Sequence, residues 1–365
     1  MRRPLTAAAL TAALTGALAA PAAASAGAAP PAGLQAAADR LVAAGQPGVI
    51  VMARRGAKVS HVTAGVADRA TGRPMDHRLR VRIASVTKTF TATVLLQLVA
   101  ERRLSLDDTV ERRLPGLVPG GDAITIRHLL QHTSGLPEYT ADQRIMAEPR
   151  RAWTPRELVA IALEKPRPHA PGAGWTYANT NYILAGMIIE RATGRPFGTE
   201  LRHRILTPLG LRHTSYPTVS RAFPGPYVHG YWEGYGDVST EVSPSSARTS
   251  GGIVSTVDDV ARFHRALFTG RLLPKAQQRA LTATLRVTDG GAEKGYGLGV
   301  EKVRLSCGDA WGHDGGFPGY RTWTYTSADG RRQAVIAYND NSARFESDPG
   351  FRADRARTAE AAFCG

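Results

Sequence analysis

The sequence predicts an α/β protein: a mostly antiparallel sheet built from both chain ends, flanked by helices, with a large helical region inserted between. Three observations predict it. Strand-like segments lie near both termini, apolar residues recur at helical spacing through the middle, and an Asp-Gly pair joins two alternating runs late in the chain. Two regions meeting in this way leave a cleft between them, where a site is expected.

The elements follow in order. After a Pro/Ala/Gly stretch ending near Ala32, residues 34–44 read as a short amphipathic helix. Residues 48–54 and 58–67 read as two strands of a hairpin, the first carrying Val49, Ile50 and Val51 in a run. Residues 80–83 form a third short extended piece. From Ser85 the spacing turns helical, with Phe90, Val94, Leu95, Leu98 and Val99 at three- and four-residue intervals. Helix or loop continues to about Phe268, including 124–131, 156–163 and 182–191. Strand-like text returns near Tyr296; residues 321–326 and 332–338 alternate and join through Asp329-Gly330, a hairpin signal. A last helix, 351–363, closes the chain. On this reading residues 27–365 form one domain, with 85–285 as the mostly helical insert and 34–84 plus 286–365 as the sheet region.

At 365 residues and 43% hydrophobic, the chain can fill a sizeable core, which excludes disorder as a global state. A net charge of +15 suggests a nucleic acid partner, but only 6 of the 46 basic residues are Lys. The Arg residues are scattered and no basic-aromatic module appears, so a solvated, mildly basic surface is expected and no nucleic acid partner. Residues 1–26 read as a signal peptide: Arg2 and Arg3, an apolar run from Leu5 to Ala20, then Ala24-Ser25-Ala26 as a cleavage site. The run is too short and Ala-rich for a spanning helix, so the expectation is a secreted monomer without a stable membrane anchor. Two cysteines, Cys307 and Cys364, are either bridged or two separate buried thiols; export favours the bridge.

Three segments could carry chemistry. In Ser85-Val86-Thr87-Lys88 a strand gives way to a helix, so Lys88 stands one turn from Ser85 on the same face and can take its proton. The helix N-terminus offers N–H groups to an oxyanion. Tyr177-Ala178-Asn179 adds a phenol and an amide; a phenol beside an ammonium can act as a base, and the amide can orient lysine and substrate. His313-Asp314-Gly315-Gly316 enters a strand, and its glycines let a substrate lie along the strand edge. His132 and Ser134 shape a loop beside the cleft on this reading, and Asp258-Asp259 is the acidic first turn of a helix. No His-Glu-x-x-His or spaced Cys/His set occurs, so no metal or other cofactor is expected.

Taken together, Ser-x-x-Lys, Tyr-x-Asn and His-x-Gly in this order resemble the penicillin-recognising serine hydrolases, the branch of class C β-lactamases and secreted serine DD-carboxypeptidases. The likeness covers nearly the whole mature chain. It includes Ile124-Thr125-Ile126-Arg127-His128-Leu129-Leu130, His132-Thr133-Ser134-Gly135-Leu136, Ser250-Gly251-Gly252, Tyr296-Gly297-Leu298-Gly299, Leu305-Ser306-Cys307 and Phe363-Cys364-Gly365. The resemblance implies Ser85 as acylated nucleophile, Lys88 as its proton partner, Tyr177 as general base or acid, Asn179 as positioning residue and His313 as electrostatic support. It places the oxyanion between the N–H groups of Ser85 and Gly316. Whether Lys88 or Tyr177 takes the serine proton stays open.

The substrate reader departs from the pattern. Relatives carry an Arg on the strand after Tyr-Gly-Leu-Gly, threonines around His-Thr-Gly-Thr, and a Trp where this chain has Ser246. Here those places hold Glu301 and Asp314-Gly315, which would repel a terminal carboxylate. Two remedies are open: Arg248 supplies the missing cation, or the substrate is an ester, an amide or a peptide whose N-terminal amine suits Asp314 and Glu301. The expectation is a D-alanyl-D-alanine carboxypeptidase-like enzyme that binds β-lactams. An esterase, D-aminopeptidase or weak β-lactamase on the same machinery, or a penicillin-binding sensor, are the alternatives.

Overall fold

The computed structural model describes residues 28–289 and 291–365, so the leader assigned to 1–26 lies outside the described residues. The main sheet has ten strands. Three come from the N-terminal part: β1 (Gly48–Arg55), β2 (Lys58–Asp68) and β3 (Arg73–Pro74). Seven come from the C-terminal part: β4 (Leu285–Asp289), β5 (Ala292–Tyr296), β6 (Glu301–Leu305), β7 (Gly308–Gly312), β8 (Asp314–Phe317), β9 (Tyr320–Thr326) and β10 (Arg332–Tyr338). The order is β3-β2-β1-β10-β9-β7-β6-β5-β4, with β8 also paired to β9, and every pairing is antiparallel. The two ends of the chain join at β1 and β10, where Val49 faces Tyr338 and Arg55 faces Arg332.

Both faces of this centre are buried, which the run Val49-Ile50-Val51 announces. Side chains alternate along a strand. Ile50 and Met52 therefore enter one core with Val335 and Ala337, against the helical region. Val49, Val51 and Ala53 enter the other with Ala334, Ile336 and Tyr338. That second core is covered by α1 (Leu34–Ala43) and α5 (Pro349–Cys364), pinned by Arg40 Nε to Asp354 at 3.0 Å. Cys307 and Cys364 are bridged, with Cα atoms 5.5 Å apart, so the end of α5 is tied to the β6–β7 turn.

On the opposite side α2 (Thr87–Ala100) is buried around nearly its whole circumference, as expected of a helix apolar on all sides. It packs against α3 (Asn179–Thr193), and α4 (Val257–Phe268) lies against β10. Two expectations need correction. Residues 80–83 do not join the main sheet: Val81–Arg82 pairs with Val254–Ser255 in a separate ribbon. Strand structure also returns before Tyr296, in the β4–β5 edge hairpin, whose exposed residues lack the alternation that marks a half-buried strand. Among the described residues no helix is long and apolar enough to cross a membrane.

Candidate active site

Ser85 stands in a single 3-10 turn, Ala84–Val86, that feeds α2. Ala84, just before it, is held at φ 49°, a conformation that costs a residue with a Cβ about 1–2 kcal/mol. The strain sits where the chain turns sharply enough to leave Ser85 half-buried while its neighbours are buried. One turn on, Lys88 has no exposed surface. Its Nζ lies 2.9 Å from Ser85 Oγ, 2.6 Å from Asn179 Oδ1 and 2.9 Å from the Ser250 carbonyl. Asn179, at the start of α3, is oriented by Glu138, whose Oε2 accepts from Asn179 Nδ2 at 3.0 Å and from its N–H.

Burial lowers the Lys88 pKa to about 7, against the pull of Glu138, Asp314 and Glu301. A neutral amine has two N–H donors and one lone pair. Asn179 Oδ1 and the Ser250 carbonyl can only accept, so the two protons go there and the lone pair faces the Ser85 hydroxyl.

Tyr177 precedes α3, with Lys88 Nζ 4.8 Å from its ring centroid. Burial raises its pKa well above the ordinary phenol value, and the neighbouring Ser85 hydroxyl only partly offsets this. It is therefore a protonated phenol at neutral pH. Behind it His132 stacks on the ring at 4.3 Å, and Tyr296 bridges His132 and His313, 3.1 and 3.0 Å from their Nε2 atoms. His313 is fully buried, and desolvation takes its pKa down to about 3.

The fourth wall is β8. The His313 carbonyl accepts from Thr324 N–H of β9 at 3.2 Å, and main-chain direction alternates along a strand. The N–H of Gly316 therefore faces away from β9, at the edge of β8 that no strand covers among the described residues. Gly315 has no room for a side chain: a Cβ there would lie 2.4 Å from the Ile83 carbonyl oxygen and 3.0 Å from Ser85 N.

The fold brings Ser85, Lys88, Tyr177, Asn179, His313, Gly315 and Gly316 to one cleft. It does not bring Arg248 there as a free cation. The Arg248 guanidinium donates to the Trp153 carbonyl, Nε at 3.0 Å. Asp314 and Glu301 are also not free anions. Asp314 pairs with Arg321 at 2.6 Å, and Glu301 with Lys294 at 2.6 Å. Burial would raise Asp314, yet Arg321 and its other cationic neighbours hold it below the usual carboxylate range. Glu301 is raised to about 7 by burial and by Asp314 beside it. Glu138, Arg321 and Lys294 were not expected here; Glu138 alone had a signal, its place two residues after Leu136.

Two groups bring three metal-ligating atoms within 4.8 Å of one another, Glu301-His313-Asp314 and His61-His77-Asp258. In the first, Lys294 and Arg321 already face the carboxylates; in the second, the three groups pair with one another, Asp258 meeting His61 Nε2 at 2.7 Å and His77 Nδ1 at 3.1 Å.

The family model described as Beta-lactamase matches residues 34–357. A D-stereospecific amidohydrolase from Streptomyces sp. superposes with a TM-score of 0.82 at 39% identity, covering 92% of this chain and 98% of that one. The D-amino acid amidase from Ochrobactrum anthropi SV3, complexed with L-phenylalanine, gives 0.82 at 30% identity, covering 90% and 97%. Penicillin-binding protein 4* of Bacillus subtilis is 29% identical over 310 residues, 80% of this chain and 68% of the relative. The chain spans about half the length of two further curated relatives, an esterase and a D-aminopeptidase. A match running from the first helix into the last, around a serine with a buried lysine at hydrogen-bond distance, means that the chain belongs to the β-lactamase family of serine hydrolases.

Proposed function

We propose that this protein hydrolyses amides of D-amino acids bearing a free α-amino group, through an acyl-enzyme on Ser85. One observation carries the substrate side: the charges of the cleft. Arg321 and Lys294 are turned to Asp314 and Glu301, so neither cation is left for a substrate carboxylate. Glu138, half-buried beside Asn179, forms no salt bridge among the described residues and can face an ammonium. The amidohydrolase and amidase among the relatives support the same reading.

The chemistry follows from the proton positions. Neutral Lys88 takes the Ser85 proton as Oγ attacks the carbonyl carbon, and the oxyanion is held by the N–H groups of Ser85 and Gly316. Tyr177, still protonated, gives its proton to the leaving nitrogen, the C–N bond breaks, and the phenol is restored by the proton on Lys88. Water then attacks the ester, the same groups acting in reverse, and the free acid leaves. Every group comes from one chain, so a monomer suffices. The apolar leader and the Cys307–Cys364 bridge favour a secreted enzyme.

A D-alanyl-D-alanine carboxypeptidase is the second reading, favoured by the penicillin-binding relative. The two are separated by ranking turnover of D-alanine amide, D-phenylalanine amide and an acyl-D-Ala-D-Ala peptide, with intact-mass detection of a benzylpenicillin adduct and Ser85→Ala as control. Faster turnover of the amides is expected. Preference for the acyl dipeptide would sink the amidase reading.

A further inference from the structure

Behind Tyr177 runs a chain of hydrogen bonds whose direction is dictated at both ends. His132 follows the helix Ile126–Gln131 in the left-handed conformation, φ 60°. Its Nδ1 faces the Ala178 N–H at 3.1 Å. A main-chain N–H only donates, so Nδ1 carries the lone pair and the proton is on Nε2. At the other end His313 Nδ1 faces the main-chain carbonyl of Asp314. A carbonyl only accepts, so that Nδ1 carries the proton and Nε2 is a lone pair. Tyr296 lies between the two Nε2 atoms; its oxygen accepts from His132 and its single proton goes to His313.

The chain also touches the reacting groups. The His132 ring stacks on Tyr177, and the N–H it holds belongs to the next residue, Ala178. Ring and main chain of the Tyr177 segment are thus fixed by one side chain.

We propose that Tyr296 is a positioning residue that, by joining the Nε2 atoms of His132 and His313 in the tautomers their main-chain partners set, holds Tyr177 against Ser85 and keeps this wall of the cleft uncharged. The specificity part rests on the acyl-enzyme reading above: a neutral His313 offers no cation to a substrate carboxylate. Burial, with Lys294 adding to it, opposes a proton on His313, and the Asp314 carboxylate, 3.9 Å from its Nδ1, is held by Arg321. The uncharged His132, also fully buried, adds no counter-charge.

Long-range proton–nitrogen spectra of protein labelled with 15N-histidine read tautomers directly and without substrate, with signals assigned through His132→Gln and His313→Asn. Expected are His132 as Nε2–H and His313 as Nδ1–H, neither titrating from about pH 8 to about pH 5. In Tyr296→Phe both tautomers should persist, since their main-chain partners remain, while the His132 ring behind Tyr177 loses its tether, so kcat should fall at least about tenfold with KM within about twofold. A charged His313 or a proton on its Nε2 in the wild type overturns the proposal. So does Tyr296→Phe with a lowered Tm but unchanged kcat, which is what a merely structural role gives. Should D-amino acid amides not be substrates, kcat is taken on whichever substrate acylates Ser85, so failure of the amidase reading leaves the tautomer result standing on its own.

Discussion

Lys88 has three hydrogen-bond partners, two of which only accept. Its base form is therefore the one that points a lone pair at Ser85, and kcat/KM should rise with pH through about 7, where Lys88 loses its proton. A flat profile across that range would argue that another group takes the serine proton. Gly315→Ala tests the opposite wall. Its methyl would push against the Ile83 carbonyl and Ser85 N, and a shift of about 1 Å at a nucleophile costs about 100-fold in rate; acylation of the variant by benzylpenicillin or an active-site probe reads this directly. At this scale the sequence was informative wherever chemistry depends on local spacing. Ser85 and Lys88 are one helical turn apart, and Tyr177 and Asn179 flank one residue. It was silent on Arg321 and Lys294, because their importance lies in which carboxylate they meet across the sheet. Arg248 was misplaced for a related reason: where a long side chain points depends on its backbone, here at φ 41°, and on the Trp153 carbonyl that receives it.

Elements are held together away from the cleft by a carboxylate clamp. Asp258, in the first turn of α4, is gripped by His61 of β2 and by His77 of the following loop, whose rings stack at 3.8 Å. Burial would raise its pKa, but these two partners outweigh that and lower it. A lowered carboxylate contributes stability above its unfolded pKa and loses it as pH falls through the folded one. Asp258→Asn should therefore lower stability by about 1 kcal/mol at neutral pH, for a partly exposed charged hydrogen bond. The gap to wild type, measured by urea unfolding, should close in acid; a gap that stays constant would mean that the charge is not what is lost. The acidic first turn of α4 was legible from Asp258-Asp259 following Thr256, whereas its histidine partners, some two hundred residues earlier, were not. The edge hairpin β4–β5 escaped for a different reason: much of it faces solvent, so burial leaves little pattern in its sequence.

For the whole molecule the disulfide is the simplest handle. It closes a separation of 57 residues, so in the chain-entropy model its removal in Cys307→Ser/Cys364→Ser costs about 4 kcal/mol. Activity at room temperature should persist, because neither cysteine touches the cleft residues, and only the unfolding midpoint should drop; loss of both together would tie α5 to the catalytic geometry. The architecture itself was the most legible feature, since strands buried on both faces and a long helical middle each leave a periodic trace. What periodicity does not give is the order of pairing. That order has a consequence for synthesis. β1 lies between β2 and β10, and its outer edge has no partner until Tyr338 has been made. A chain leaving the ribosome from its N-terminus therefore carries an open, apolar strand edge through the production of almost three hundred residues. Such long-range closure is slow, and an exposed edge invites pairing with other chains. An incomplete chain therefore exposes an edge that the finished fold covers, and supplying a holdase during synthesis should matter more to yield than stabilising the finished fold.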